Sequence, residues 1–312
     1  MKKLFLTCIC VSALCLFMSC GTTTTVSKVD GSLNNETNAD EYQGLKRVVA
    51  ISRFSNETEY AKGAFYDKEN DPVGKQAVDI LSAKLAASGK FVLLERVDAD
   101  KLQTEIDKYG AVTKKVPADY LIIGSVTEYG RKTTGEVGLV SRKKKQTVEA
   151  GVNIRLVDVR TGQIIYSEEG KGEAEIESST VLGMGGVQGY DATLSDKAIS
   201  AAIEKLVDNI EKTCMDRPWK SYILSYDEDG MIIAGGEKQG IRKGNVFPVY
   251  ERGKQVENPQ TGMMIELPGK QVAKVKVLSV GGSTITDEYA FVTLVEGSID
   301  AKNLSKYEIQ DE

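Results

Sequence analysis

Apolar positions along this chain change period several times, and each change marks an element. From Ala118 the residues Asp119-Tyr120-Leu121-Ile122-Ile123-Gly124-Ser125-Val126 form a near-continuous apolar run, the pattern of a strand buried on both faces. Between Val148 and Val159 the pattern alternates. Val148, Ala150, Val152, Ile154 and Leu156 point one way, and Glu149, Asn153 and Arg155 the other. Asp158-Val159-Arg160-Thr161-Gly162 then reads as a turn into a third strand at Ile164-Ile165-Tyr166, a hairpin. Beyond it, Ala174 and Ile176 alternate with Glu173, Glu175 and Glu177, which predicts one wet face.

The flanking segments supply helices and further strands. Arg47 to Phe54 predicts a buried strand, and Phe91 to Arg96 a short one. Asp71 followed by Pro72 predicts a helix start, with Val73, Ala77, Ile80, Leu81 and Leu85 on one face and a stop at Ser88-Gly89. A second helix is expected from Asp98 to Tyr109. A third runs from Asp191 to Cys214, with Leu194, Ala198, Ala201, Ala202, Leu206 and Ile210 inward. The order β-α-β-α-β-β-β-α predicts an α/β domain with a mixed sheet. After Pro218 the segments become short, β-branched and glycine-punctuated: Met231 to Ile233, Asn245 to Tyr250, Gln271 to Val280 and Ala290 to Val295. That pattern predicts a small all-β, SH3-like barrel.

The N-terminus reads as an address. Lys2-Lys3 precedes an apolar stretch from Leu4 to Met18, too short for a comfortable membrane span. It ends in Phe17-Met18-Ser19-Cys20-Gly21, which resembles a bacterial lipobox, with Phe17 in place of the usual leucine. In such a motif Cys20 becomes the acylated first residue of the mature chain. The expected divisions are a signal peptide at 1–19, a Thr- and Asn-rich tether at 20–44, the α/β domain at 45–216 and the all-β domain at 217–312.

Composition narrows the chemistry. The chain has 312 residues and no histidine, so the commonest general base and zinc ligand are missing. Loss of Lys2 and Lys3 with the leader takes the formal charge from -5 to -7, which does not favour nucleic acid. Of the five cysteines, Cys8, Cys10 and Cys15 leave with the leader, and Cys20 is the anchor. Cys214 is expected to be a small buried hydrophobe. No nucleophile elbow, phosphate loop or metal-ligand spacing is present, so neither catalysis nor a cofactor or small-molecule substrate is expected.

These residues resemble the CsgG family of curli-secretion lipoproteins. The matching pieces are Arg47-Val48-Val49-Ala50-Ile51 with Asn56-Glu57-Thr58, Leu94-Glu95-Arg96, Asp119 to Ser125, and Asn153 to Ile165. The segments Gly240 to Asn245 and Asn258 to Gly262 are similar to the C-terminal barrel of flagellar assembly protein T. The family resemblance implies a three-layer α/β domain, lipid-anchored to the outer membrane with its body in the periplasm, acting in a ring-forming export or envelope assembly complex. A second reading is an interaction lipoprotein that regulates an envelope machine, as peptidoglycan-synthase activators do, without a pore.

In the channel, two hairpins per subunit cross the membrane, and an aromatic and asparagine loop narrows the pore. By position the hairpins fall here at Tyr129 to Val148 and Gly172 to Asp191, and the loop holds Phe65, Tyr66 and Asn70. Neither hairpin candidate carries the apolar alternate row of a lipid-facing strand, so both are expected to be solvated loops. Lys143, Lys144 and Lys145 are then expected at a hairpin tip, where they could touch anionic head groups or an acidic partner.

Overall fold

The computed structural model describes residues 42–52, 54–58, 71–96, 117–137, 141–181, 193–260, 262 and 264–311. Cys20, Phe65, Tyr66, Asn70 and the helix expected at 98–109 lie outside them.

The first sheet has the order β3-β1-β4-β5-β6, with β2 beside β4. Its strands are β1 (Arg47–Ile51), β2 (Ser55–Asn56), β3 (Phe91–Leu94), β4 (Tyr120–Val137), β5 (Ser141–Asp158) and β6 (Ile164–Val181). Strand β1 runs parallel to β3 and β4, whereas β4, β5 and β6 are mutually antiparallel. The sheet is therefore mixed, as expected. Helix α1 (Pro72–Ala87) begins where the sequence predicts. The Asp71 carboxylate accepts from the Val73 and Gly74 amides at 3.1 Å, and Pro72 occupies the first turn, where its missing N–H costs nothing. Helix α2 (Thr193–Met215) packs against α1 and lies on the same face of the sheet. Of the expected three layers, the described residues form two, with both helices in one core that holds Leu81, Leu85, Ile122, Val152, Ile203 and Leu206.

Two glycines bring α2 onto the edge of this sheet. A Cβ at Gly170 would stand 2.2 Å from the Ala202 carbonyl oxygen, and one at Gly172 would stand 2.1 Å from that of Ala198. Two strand residues span nearly the rise of one helical turn, so the pair forms a slot along which α2 runs antiparallel to β6.

The second sheet is antiparallel and nearly closed, in the order β7-β15-β10-β13-β14-β9-β8. Its long strands are β9 (Gly230–Ala234), β10 (Val246–Glu251), β13 (Lys270–Gly281) and β14 (Tyr289–Gly297). The sequence pattern anticipates these four. It does not anticipate β7 (Lys220–Ser221) and β8 (Ile223–Asp227), a bent pair that joins β15 (Tyr307–Gln310) at one end and β9 at the other. A separate hairpin of β11 (Gln255–Glu257) and β12 (Met264–Glu266) leaves the end of β10. Trp219, Phe247, Val275 and Ile309 fill the barrel.

Arg47 joins the two domains. It is 4% exposed, and its guanidinium donates to the carbonyls of Cys214 (3.3 Å), Leu45 (3.1 Å) and Arg217 (2.7 Å) and to the Asp311 carboxylate (3.0 Å). Asp311 also accepts the Trp219 amide at 2.5 Å. Cys214 is fully buried beside this cluster, and burial pushes its thiol up to about 12, the behaviour of an inert packing group. A second contact involves the 3-10 turn Glu237–Gln239. The Gln239 carbonyl accepts the Lys46 amide at 2.9 Å, and Gly240 abuts Gly44. Glu288, 8% exposed, holds that turn by accepting the Lys238 amide, while its second oxygen is buried without a hydrogen-bond partner.

Three outcomes follow from these contacts. Gly172→Ala must push α2 off the sheet and is expected to cost about 1–3 kcal/mol in urea unfolding; alanine at Gly130, where a Cβ meets nothing within 4 Å, is the control. Arg47→Met leaves Asp311 without its cation. It is expected to cost about 3–5 kcal/mol and to expose the segment 216–219 to limited proteolysis. Burial raises the carboxyl pKa of Glu288 in the folded protein. Its contribution to stability is then full below the unfolded pKa and lost as pH rises through the folded one. Glu288→Gln should therefore raise the urea midpoint at pH 7 and lose that advantage as the pH falls towards about 4, the ordinary carboxyl range.

Candidate functional site, a charged three-stranded arm

Strands β4, β5 and β6 each run 18 residues, about 60 Å at ordinary strand rise. Their ladder is continuous from the core end, Tyr120↔Asp158, to Val137↔Arg142, and from Val157↔Ile164 to Ser141↔Val181. The two segments expected as solvated loops are thus corrected. Residues 129–137 and 141–148 pair strand to strand, and 172–181 continue β6. The physical reason is that β5 is paired on both sides, so its backbone groups are satisfied whatever side chains it carries. The one irregularity in the β4–β5 ladder lies between Val126 and Glu128. There Gly151 makes room, because a Cβ would come within 2.9 Å of the Thr127 hydroxyl oxygen.

Beyond this bulge the arm has two distinct faces. The face towards α2 carries Val148, Ala150, Ala174 and Ile176, all buried, and the Tyr129 and Ser195 hydroxyls hydrogen-bond across to the helix. The opposite face carries Glu128 and Lys132 from β4, Lys143, Lys145 and Glu149 from β5, and Glu169, Lys171, Glu173, Glu175 and Glu177 from β6. Lys171 pairs with Glu128 and Lys145 with Glu175, both at 2.6 Å, and Thr127 donates to Glu169 at 2.8 Å. The hydrogen bonds that Lys145 and Lys171 donate to Glu175 and Glu128 raise the pKa of each lysine, so both ammonium groups stay charged at neutral pH.

The expectation for Lys143, Lys144 and Lys145 is corrected with the loop that contained them. All three are ladder residues of β5, opposite Glu136, Gly135 and Thr134 of β4. Lys143 and Lys145 lie on the charged face, whereas Lys144 points to the other. They cannot act as one tip. What sequence reasoning missed is the acidic row facing Lys145. Its signal was present in the Glu173, Glu175, Glu177 alternation, but the pairing is visible only once β5 is extended.

A second concavity lies at the domain junction, lined by Arg47, Asp119, Tyr120, Asp158, Arg160, Trp219, Lys220 and Tyr222, with a volume of about 50 Å³, room for a water or two. Its charges serve the fold. Asp158 takes the Arg160 and Thr161 amides and faces Arg217 at 3.4 Å, Lys220 binds Glu308 at 2.8 Å, and Asp119 takes the Val48 amide at 2.9 Å. Burial raises the Asp119 pKa and pushes the Tyr120 phenol up to about 12. Among the described residues no group of three His, Cys, Asp or Glu side chains is placed to hold a metal, and no helix is long and apolar enough to cross a membrane.

Residues 32–241 match the family described as curli production assembly/transport component CsgG. A Neisseria meningitidis serogroup B protein named "Putative lipoprotein NMB1126/NMB1164" is 33% identical over 183 residues, which span 58% of this chain and 82% of that protein. Among solved structures, lipoprotein GNA1162 from Neisseria meningitidis is similar at 14% identity, covering 55% of this chain and 99% of its own, with a TM-score of 0.27. The PelC dodecamer from Paraburkholderia phytofirmans is similar at 19% identity over 53% of this chain and 86% of its own, with a TM-score of 0.26. Likenesses of that strength carry nothing about role. The family match extends over most of the chain and includes the whole mixed sheet with its arm and helix α2, and the chain belongs to the CsgG family.

Proposed function

We propose that this protein is a non-catalytic assembly component of the bacterial envelope. It is anchored to the outer membrane through lipid on Cys20 and works in the periplasm within a ring-forming or multi-protein complex. In this reading the arm is a water-facing docking scaffold. The observation that carries the reading is the charged face of β4, β5 and β6. A lipid-facing β-strand needs an apolar alternate row, and a Lys or Arg at mid-bilayer costs about 2–4 kcal/mol. Here that row would hold Lys132, Lys143 and Lys145, with five consecutive outward positions of β6, from Glu169 to Glu177, occupied by Lys or Glu. On the other face Val148, Ala150, Ala174 and Ile176 are buried in the core shared with α2, and Thr133 of β4 is exposed.

A curli-type channel is the second reading, and strand length favours it, because 18 residues exceed the roughly 9–11 that span a bilayer. The charged face opposes it, because its outward lysines and glutamates would have to enter lipid.

The test pairs hydrodynamic size with planar-bilayer conductance on the lipoprotein extracted in mild detergent. The expected result is a discrete assembly without stable conductance. In cells, a photocrosslinking side chain at Lys143 should give protein adducts. Stable unitary conductance, with crosslinks to lipid, would instead support the channel.

A further inference from the structure

Among the described residues strand β6 is an outer edge of its sheet, and the backbone groups it turns away from β5 belong to the same residues as its charges. The Lys205 ammonium donates to the Lys171 carbonyl at 2.5 Å, so that carbonyl points away from β5. In an antiparallel ladder the outward-pointing backbone groups alternate, and the N–H and C=O of one residue share a side. From Glu168 to Val181 the pairing with β5 has no register shift. Among the described residues that edge therefore presents the N–H and C=O groups of Glu169, Glu173, Glu175 and Glu177, together with Lys171, whose carbonyl Lys205 already holds. These are the residues whose side chains form the row on the charged face. Lys145 neutralises Glu175, and Glu173 and Glu177 stand exposed on either side.

Natural sheet edges are commonly blunted by proline, bulges or lysine. Between Glu173 and Glu177 this edge has neither proline nor a bulge, and its charges have one sign. A strand added there would form its hydrogen-bonded pairs with residues 173, 175 and 177. Its own outward side chains would then lie about 5.5 Å from the glutamates. A second copy offering the same edge would set glutamates against glutamates, which is repulsive. Its other open edge, on β4, carries both Glu128 and Lys132 and matches poorly. An anionic lipid surface is repelled as well.

From this we infer that the β6 edge is a docking site for an extended basic segment of a partner protein, one with Lys or Arg at alternate positions, which adds as a fourth strand beside Glu173, Glu175 and Glu177. The inference rests on the arm being water-facing and adds the chemistry of its partner.

The test uses the full-length lipoprotein in detergent and a fluorescent peptide of about eight residues alternating lysine and threonine, enough for some 25 Å of strand. Expected are salt-sensitive binding by anisotropy and slowed hydrogen exchange at the amides of residues 173, 175 and 177. The amides of 172, 174 and 176, already bonded to β5, should not change. Binding should weaken roughly tenfold in Glu173→Lys/Glu177→Lys, whose exposed positions leave folding intact. A glutamate-threonine peptide should not bind. Equal binding of a peptide with a central proline would overturn the inference, since charge alone would then suffice. So would protection elsewhere, or edge amides already protected without peptide in a self-associated form. Stable conductance in the bilayer assay would instead refute the water-facing arm itself, with or without peptide.

Discussion

A single buried guanidinium sets how the two halves of this molecule meet. Arg47 opens β1, the strand on which the mixed sheet is laid down, and its fork reaches acceptors 167 and 264 residues away. A buried cation is tolerated only where its donors are matched, and here three carbonyls and a carboxylate match them. Two of those carbonyls, of Cys214 and Arg217, lie at the end of α2 and just beyond it, where carbonyl groups lack helical partners. Arg47 thus satisfies the helix end, fixes the path into the barrel and holds Asp311 in one contact set. Lysine could not replace it, because a point charge cannot fork among four acceptors.

The same sheet carries the arm, and it does so by geometry more than by burial. Gly170 and Gly172 let α2 lie against β6 along the edge, so Val148, Ala150 and Ala174 on the inner face of the arm are buried. The outer face then needs no apolar residue. Charge can occupy every outward position of β6 from Glu169 to Glu177 because those positions face solvent and the opposite row supplies the stability. Position in the fold and surface chemistry are therefore separable along this arm. A change of outward residues alters the charge of the exposed face, while a change in the glycine slot alters how α2 seats on the sheet.

Much of the core was legible in the sequence. The Asp71-Pro72 cap, the Val148 to Leu156 alternation and the Asp158 to Gly162 turn each rest on local chemistry, and each appears as read. The buried Cys214 follows from its place on the apolar face of α2. The arm was not legible, because Arg142 to Lys145 puts cations on both faces of a strand and so erases the period-2 signal. Only pairing on both sides makes that segment a strand, and pairing is not local. The Arg47 contacts, the bent β7–β8 pair and the β11–β12 hairpin were missed for the same reason. They depend on residues far apart in sequence, or on segments too short to show a period. The three lysines are contiguous in sequence but divided between the two faces of β5, since alternate strand residues face opposite ways.

The first described residues lie at the seam between the domains. Lys46 bonds to the barrel turn, Gly44 lies against Gly240, and the Tyr42 hydroxyl reaches Met215 at the end of α2. Mechanically, this makes residues 42–47 a shared root. Tension applied through whatever precedes them is divided between both domains at once and loads the junction along its length. Such a load would bear on the Lys46 and Tyr42 contacts together, and so on the barrel turn and the end of α2 at the same time.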